Sequence, residues 1–275
     1  MKTKMNNTNK NSLIILGSGT STGIPLIGCH CHVCTSLDHR DLRLRTSVLI
    51  HTKNKQNILV DTSPDLRTQM LNNKISALDA IIITHEHADH LHGLDDVRPF
   101  CFMKPNHSIP VYTNSTTKQI IETRFPYIFN QSKPLLGGGL PKISLHEVPL
   151  MQEVKILGET FIFFNYPHGH GETMGFLHDK MAYVVDCMML PDDVKNLLKK
   201  AKLDLLIIDC LQRKEHTTHL TVERSFDLID FINPNSAGLI HMGHDLSHRV
   251  LDTLAKNRFK NKNVFPVYDQ LQLQY

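Results

Sequence analysis

No stretch of this sequence stays apolar for long. Apolar runs such as Leu203 to Ile208, itself interrupted by Asp204, and Phe161 to Phe164 fall far short of the ~20 residues a membrane helix needs, which excludes a bilayer-spanning helix. The first twelve residues are rich in Lys and Asn and lack both an apolar segment and a small-residue cleavage site behind them. Residues 1–12 therefore read as a disordered polar tail rather than an export signal, and a cytoplasmic location is expected. Charge of one sign is also missing. Lys plus Arg total 30 against 27 Asp plus Glu, a formal net charge of +3, so no broad field gathers nucleic acid, which is not expected as a partner. Tryptophan is absent. What remains, 41% apolar and 21% charged over 275 residues, suits a globular core and excludes a disordered or collagen-like chain.

Histidine is what the chain has in excess. Of its 18 histidines, thirteen fall in the windows 29–34, 85–92, 168–170, 216–219 and 241–248. Such clustering points to metal ligation, a common task of neutral imidazole. The six cysteines are equally uneven: Cys29, Cys31 and Cys34 lie close together, whereas Cys101, Cys187 and Cys210 are scattered. In a cytosolic chain a close triplet binds metal more often than it forms disulfides.

Short β-rich runs recur at Leu13 to Leu16, Ser47 to His51, Ile58 to Val60, Ala80 to Ile83, Ile109 to Tyr112, Ile143 to Val148, Phe161 to Tyr166, Met181 to Val185, Leu203 to Ile208 and Leu239 to Ile240. Helices are predicted behind a Ser63-Pro64 cap, over the Val222, Phe226, Ile229 stripe, and from Leu246 to Leu254 behind Asp245. The sum is a mixed α/β chain of about a dozen strands and five or six helices. Pro134 to Pro141, with three consecutive glycines, divides it almost in half. Histidine clusters occur in both halves, so a shared site requires the halves to pack together; residues 13–275 are expected to form one domain of two similar layers.

Thr84-His85-Glu86-His87-Ala88-Asp89-His90 follows an apolar run and so sits at a strand end. While the chain stays extended, residues 85, 87 and 89 face the same way, and a turn into a helix swings His90 round to join them. Three imidazoles and a carboxylate suit a pair of divalent ions, zinc, manganese or iron. A zinc-protease HExxH reading fails, because Asp89 stands where the second His is needed.

This pattern resembles the HxHxDH motif of the metallo-β-lactamase superfamily, and the resemblance extends along nearly the whole chain. His168 precedes Gly175-Phe176, Asp186 ends Tyr183-Val184-Val185, and His241 ends Gly238-Leu239-Ile240, in the family's order. The resemblance implies an αββα sandwich, two mixed β-sheets flanked by helices, with metals at one edge. It implies that His85, His87 and His168 hold one ion, that Asp89, His90 and His241 hold the other, and that Asp186 bridges them. His170 competes with His168. Asp61, another strand-end Asp, is expected to orient ligands rather than bind metal, with a helix-capping turn as the alternative. The charges of Gly93 to Pro99, also family-like, read equally well as a solvated helix face.

Two ions ~3.5 to 4 Å apart share a hydroxide and clamp the attacking and departing oxygens of a phosphodiester. Asp89 thus counts with the catalytic groups. A proton must still reach the leaving group, and His216 and His219 precede the Val222 helix. His219-Leu220-Thr221 resembles the His-Ser-Thr element of RNase Z-like phosphodiesterases, which favours His219; a packed or capping histidine is the alternative.

Gly28-Cys29-His30-Cys31-His32-Val33-Cys34 can wrap three thiolates around one ion, and a structural zinc needs a fourth ligand. The triplet resembles that of the phosphoribosyl cyclic phosphodiesterase (PhnP-like) branch of the superfamily. That resemblance implies His244, three residues beyond His241, as the fourth ligand; His30 and His32 compete locally. The function it implies is hydrolysis of a small cyclic phosphate, a phosphoribosyl cyclic phosphate or cyclic nucleotide, with two divalent ions in the active site and one structural zinc. The alternatives are an RNase Z-like nuclease and a non-catalytic cofactor-biosynthesis protein of the same fold. A small phosphodiester is the expected partner, and homodimerisation is left open. Between residues 104 and 140, Phe125, Tyr127 and Phe129 read first as core packing and second as a lid over a base or ribose.

Overall fold

The computed structural model describes residues 10–103, 108–129 and 139–275. Two seven-stranded sheets pack face to face. In the first, the order is β14 (Gln272–Gln274), β1 (Ser12–Gly17), β2 (Ser47–His51), β3 (Asn57–Val60), β4 (Ala80–Ile82), β5 (Ile109–Thr113), β6 (Ile143–Glu147). In the second it is β13 (Asn263–Pro266), β12 (Ser236–Ile240), β11 (Leu205–Asp209), β10 (Met181–Val184), β9 (Gly171–His178), β8 (Glu159–His168), β7 (Glu153–Ile156). Each sheet begins in antiparallel hairpins and continues in parallel strands: β1 to β3 are antiparallel and β3 to β6 parallel, β7 to β10 antiparallel and β10 to β13 parallel. This is the αββα arrangement, with two similar layers.

Side-chain alternation builds the layers. Val48 and Ile50, Ile58 and Val60, Ala80 and Ile82 face the second sheet and meet Phe161, Phe163, Phe176 and Tyr183. The residues between them, Leu49, Leu59 and Ile81, point outward and bury α1 (Leu66–Asn72), α3 (Arg98–Met103) and α4 (Ser115–Arg124) through Leu66, Met70, Phe100 and Ile121. A period of two covered on both faces yields such continuous apolar runs. On the second sheet lie α6 (Asp192–Ala201), α7 (Val222–Ile232) and α8 (His248–Arg258), while α2 (Ala88–Leu91) and α5 (Pro126–Phe129) are single turns. Among the described residues no helix is long and apolar enough to cross a membrane.

Several boundaries differ from the sequence reading. Residues 1–9 lie outside the described residues, but the polar tail does not reach residue 12. Ser12 opens β1, and the buried Asn11 donates to Asp179 while its side-chain oxygen accepts from the Lys53 N–H. The chain changes sheet between β6 and β7, after Glu147, and not at the Gly/Pro segment, most of which lies outside the described residues. β6 pairs in parallel with β5, and the connection between them carries α4 and α5. The α1 cap is Asp65, with Ser63 Oγ bonded to the Asp65 N–H, and α8 is capped by Ser247, whose hydroxyl accepts from the Val250 N–H, not by Asp245. Gly93 closes α2 against the β3 end, where a Cβ would stand 2.0 Å from the Ser63 carbonyl oxygen, so only glycine fits.

Candidate metal centre

Strand ends from both sheets converge at one edge. The first sheet sends Asp61 from β3 and the segment His85 to His90 from β4; the second sends His168 from β8, Asp186 from β10, Asp209 from β11 and His241 from β12. Asp186 Oδ2 lies 3.4 Å from His85 Nε2, 3.3 Å from His90 Nε2 and 3.6 Å from His168 Nε2, and Oδ1 lies 3.1 Å from His241 Nδ1. His87 Nδ1 is 3.2 Å from His168 Nε2, and Asp89 Oδ2 is 3.1 Å from His90 Nε2. Tetrahedral ligands ~2.1 Å from a metal stand about 3.4 Å from each other, so these separations are those of a ligand shell.

Several imidazoles of this cluster are held from behind. His90 Nδ1 donates to Asp61 Oδ2 at 2.7 Å, and Asp61 also accepts from the Thr84 N–H and hydroxyl. His168 Nδ1 donates to the Thr218 carbonyl at 3.0 Å. At His241 the contact from behind comes from Thr20, whose hydroxyl lies 3.3 Å from Nε2, while Thr46, which donates its hydroxyl to Gly19 O, stands 3.0 Å from the same Nδ1 that faces Asp186. With the rear nitrogens of His90 and His168 committed, their Nε2 atoms face inward, as a metal requires. Among the described residues, His85 Nε2, His90 Nε2 and Asp186 Oδ1 are buried and, for all these close approaches, find no partner in hydrogen-bond geometry, a costly state that a divalent cation would relieve. Two groups of donors can each hold an ion: His85, His87, His168 and Asp186, and, sharing the Asp186 carboxylate, His90, Asp186 and His241. Burial lowers the His85 imidazole to about 3, leaving it neutral and able to ligate. Burial opposes a charge on His90 as well, yet Asp186, Asp89 and Asp61 raise it well above its ordinary range, a measure of how strongly this edge attracts positive charge.

A second donor cluster lies in the loop after β1. Cys29, Cys31, Cys34 and His244 bring one donor each within 4.8 Å of one another. His244 Nδ1 is 3.3 Å from Cys29 Sγ and 3.6 Å from Cys31 Sγ. The Cys34 N–H donates to Cys31 Sγ and, despite partial burial, holds that thiol down to about 6, whereas burial pushes Cys34 up to about 11. Three thiols and an imidazole suit a closed structural zinc. His30 and His32 are exposed and stand outside this cluster.

His219 packs against the first cluster, its ring centre 4.8 Å from that of His168 and 4.9 Å from that of His241. Its Nδ1 donates to Asp209 Oδ2 at 3.0 Å. Burial opposes its charge, but the Asp209 carboxylate more than compensates and raises it to about 9. His216 is more exposed, its Nδ1 accepts from the Thr218 N–H, and burial lowers it. His170 is exposed on the turn after β8, so His168 is the member of the pair that joins the cluster.

A family profile described as Beta-lactamase superfamily domain matches residues 56–242. The chain belongs to this superfamily. A solved structure described as a new diphosphatase from the PhnP family superposes with a TM-score of 0.85 at 35% identity, covering 97% of each chain. Zn(2+)-bound PqqB from Methylobacterium extorquens shares the fold at a TM-score of 0.78 and 17% identity, over 96% of this chain and 100% of that one. A protein named octanoyltransferase from Porphyromonas gingivalis is 38% identical over 231 residues, 84% of this chain. The match covers 46% of that protein, so this chain spans about half its length.

One site residue escaped the sequence reading. Asp209 ends the apolar run of β11 as Asp61 and Asp186 follow theirs, so its strand-end position was the available signal. The charges of Asp95 and Asp96 are exposed on a short 3-10 turn, Leu94–Val97, as a solvated face would be.

Proposed function

We propose that this superfamily member is a dinuclear metal-dependent phosphodiesterase that hydrolyses a small cyclic phosphate, of the phosphoribosyl or nucleotide type. The observation that carries this reading is the Asp209–His219 pair set against the ligand cluster, because a proton donor is needed when the departing group is a sugar alkoxide. Two divalent ions, zinc, manganese or iron, held by His85, His87, Asp89, His90, His168, His241 and a bridging Asp186 would acidify water and neutralise charge on the phosphate oxygens. The chain's own residues do the rest. Asp61 and the Thr218 carbonyl hold His90 and His168 with their Nε2 atoms turned into the donor cluster. As water adds to phosphorus, losing one proton to solvent, and the ester P–O bond breaks, the His219 imidazolium gives its Nε2 proton to the leaving oxygen, and Asp209, accepting from Nδ1, holds the ring in the orientation for that transfer; His219 then regains a proton from solvent. The near-zero net charge favours a small substrate over RNA. A metal carrier has no use for a proton donor beside its site. A diphosphate is the second reading, favoured by the description of the PhnP-family relative; phosphate departs more readily than an alkoxide and depends less on His219.

The test is leaving-group dependence. With His219→Ala, hydrolysis of a ribose cyclic phosphate should slow by ~10² to 10⁴ while that of bis(p-nitrophenyl) phosphate changes little, since p-nitrophenolate leaves without a proton. His216→Ala is the control and should show no contrast. Equal slowing of both substrates by His219→Ala would falsify the proton-donor assignment.

A further inference from the structure

The cysteine loop holds two of its thiols in unlike settings. Cys31 and Cys34 stand three residues apart on one turn, closed by the Thr35 N–H on the Cys31 carbonyl at 3.0 Å. Helical geometry puts their Cα atoms roughly 5 Å apart, within the span of a disulfide. Cys31 is half-buried and so reaches solvent, whereas Cys34 is buried beside Ile24 and Val33. The Cys34 N–H donates to Cys31 Sγ at 3.4 Å, and the Leu26 N–H donates to Cys34 Sγ at 3.3 Å. An accessible sulfur that receives a backbone N–H at the start of a turn is set up as an attacking thiolate, and a sheltered sulfur beside it is placed to resolve the product. Among the described residues, the other cysteines outside this loop, Cys101, Cys187 and Cys210, are buried and belong to no donor group. Cys31 also reaches across to the segment that follows β12. Its thiol donates to the His244 carbonyl at 3.2 Å, and its sulfur lies 3.6 Å from His244 Nδ1. A bond of ~2.05 Å to Cys34 would draw Cys31 away from both contacts.

We propose that Cys31 and Cys34 are an oxidation site, joined reversibly by hydrogen peroxide into a disulfide that opens the cysteine cluster, frees His244 and loosens the edge that carries His241. The Cys31 thiolate attacks one peroxide oxygen, the O–O bond breaks, hydroxide leaves, and Cys31 becomes a sulfenic acid. The Cys34 sulfur then attacks the Cys31 sulfur, the S–O bond breaks, and the departing hydroxide takes a proton from the Cys34 thiol or from water. Two thiols have together lost two electrons, and peroxide has been reduced to the level of water. With two of four donors consumed, the cluster no longer closes around an ion. His244 is three residues from His241, so the second cluster feels the change through one short stretch of chain.

The test uses the full chain with zinc in the cysteine cluster and manganese in the His/Asp cluster, exposed to an excess of hydrogen peroxide. After alkylation, fragment mass spectrometry should find the label on Cys29 alone, with Cys31 and Cys34 joined, and zinc should be released in step with the disulfide. A disulfide between other cysteines, none at all, or one formed without loss of zinc overturns the proposal. Manganese affinity, read from the electron paramagnetic resonance signal of the free ion, should weaken about tenfold on oxidation, a coupling of ordinary size, and recover with dithiothreitol and zinc. Unchanged affinity overturns the link to the His241 edge. In Cys34→Ser, oxidation should halt at a Cys31 sulfenic acid that dimedone captures, and absence of the adduct overturns Cys31 as the attacking thiol. None of these readouts depends on which phosphate the protein cleaves.

Discussion

Asp61, Asp186 and His241 share a backbone feature: each follows or ends a strand with a left-handed φ, +64°, +55° and +63°. For residues other than glycine this conformation costs of order 1 to 3 kcal/mol, and its repetition at one edge marks where the fold bends the chain sharply so that a side chain turns back over the sheet end. His248 is a different case, a buried imidazole outside the metal cluster. It opens α8, its N–H donates to Asp41, and its ring stands edge-on to Tyr268. Burial first, then Arg40 and Arg43, lower it to about 4, while Asp38 and Asp252 pull the other way. Because its folded value lies below the ordinary 6.5, the unfolded chain binds the proton more readily, so stability falls as pH drops from about 6.5 to about 4. Replacing it, His248→Gln, should flatten that part of a urea-unfolding pH profile relative to the native chain, and parallel profiles would exclude the effect. Residue identities at the metal edge were legible because ligands are chemically distinctive and follow apolar runs. His248 was not, because its role depends on Asp41, 207 residues away, and Asp209 was passed over because its strand-end signal gains meaning only once the loop to His219 folds back on it.

At the scale of elements, the segment from His241 to His248 ties the two clusters together. His241 faces the first, His244 the second, and the buried Arg43 donates to Gly243 O at 3.0 Å, to Leu246 O at 2.8 Å and to Asp41 at 2.9 Å. The cysteine loop and this segment are therefore held at two points, a guanidinium and a four-donor cluster. Structural zinc binding is coupled to folding, so Cys31→Ser should lose one zinc per chain by metal analysis and lower the melting temperature. Because the segment also carries His241, the affinity of the His/Asp cluster for manganese should weaken too; unchanged zinc content would remove the structural-zinc assignment. Strands rich in Val, Ile and Leu were visible from their runs, but β7, β9, β13 and β14 were not. β9 reads Gly-Glu-Thr-Met-Gly-Phe-Leu-His, and its first residues are exposed and polar, while β14 is three residues long and exists by pairing with β1. Helix caps shifted because Ser63, Pro64 and Asp245 are equally acceptable turn residues, and packing chose between them.

Across the whole molecule, the grouped donors are divided between the layers: His85, His87 and His90 come from the first sheet, with Asp89 beside His90, and His168, Asp186 and His241 from the second. That division was foreseeable, since histidine clusters occur in both halves of the sequence. An ion bound across this edge would staple the sheets together, since what binds only the folded state stabilises it by mass action, ~4 kcal/mol at a thousandfold excess over Kd. Manganese is the useful probe, because hard ions favour imidazole and carboxylate over the thiolates of the other cluster. Saturating manganese should raise the melting temperature of the native chain by roughly 10 °C. Asp186→Asn keeps the side-chain shape, and Asn tolerates a left-handed φ, but the substitution removes the charge that both donor groups share. It should abolish most of the manganese shift and most hydrolysis together, while the zinc bound by the cysteine cluster stays in place. A manganese shift of native size in Asp186→Asn would mean that the ions are held within one layer, and the bridging role of Asp186 would be lost with the staple.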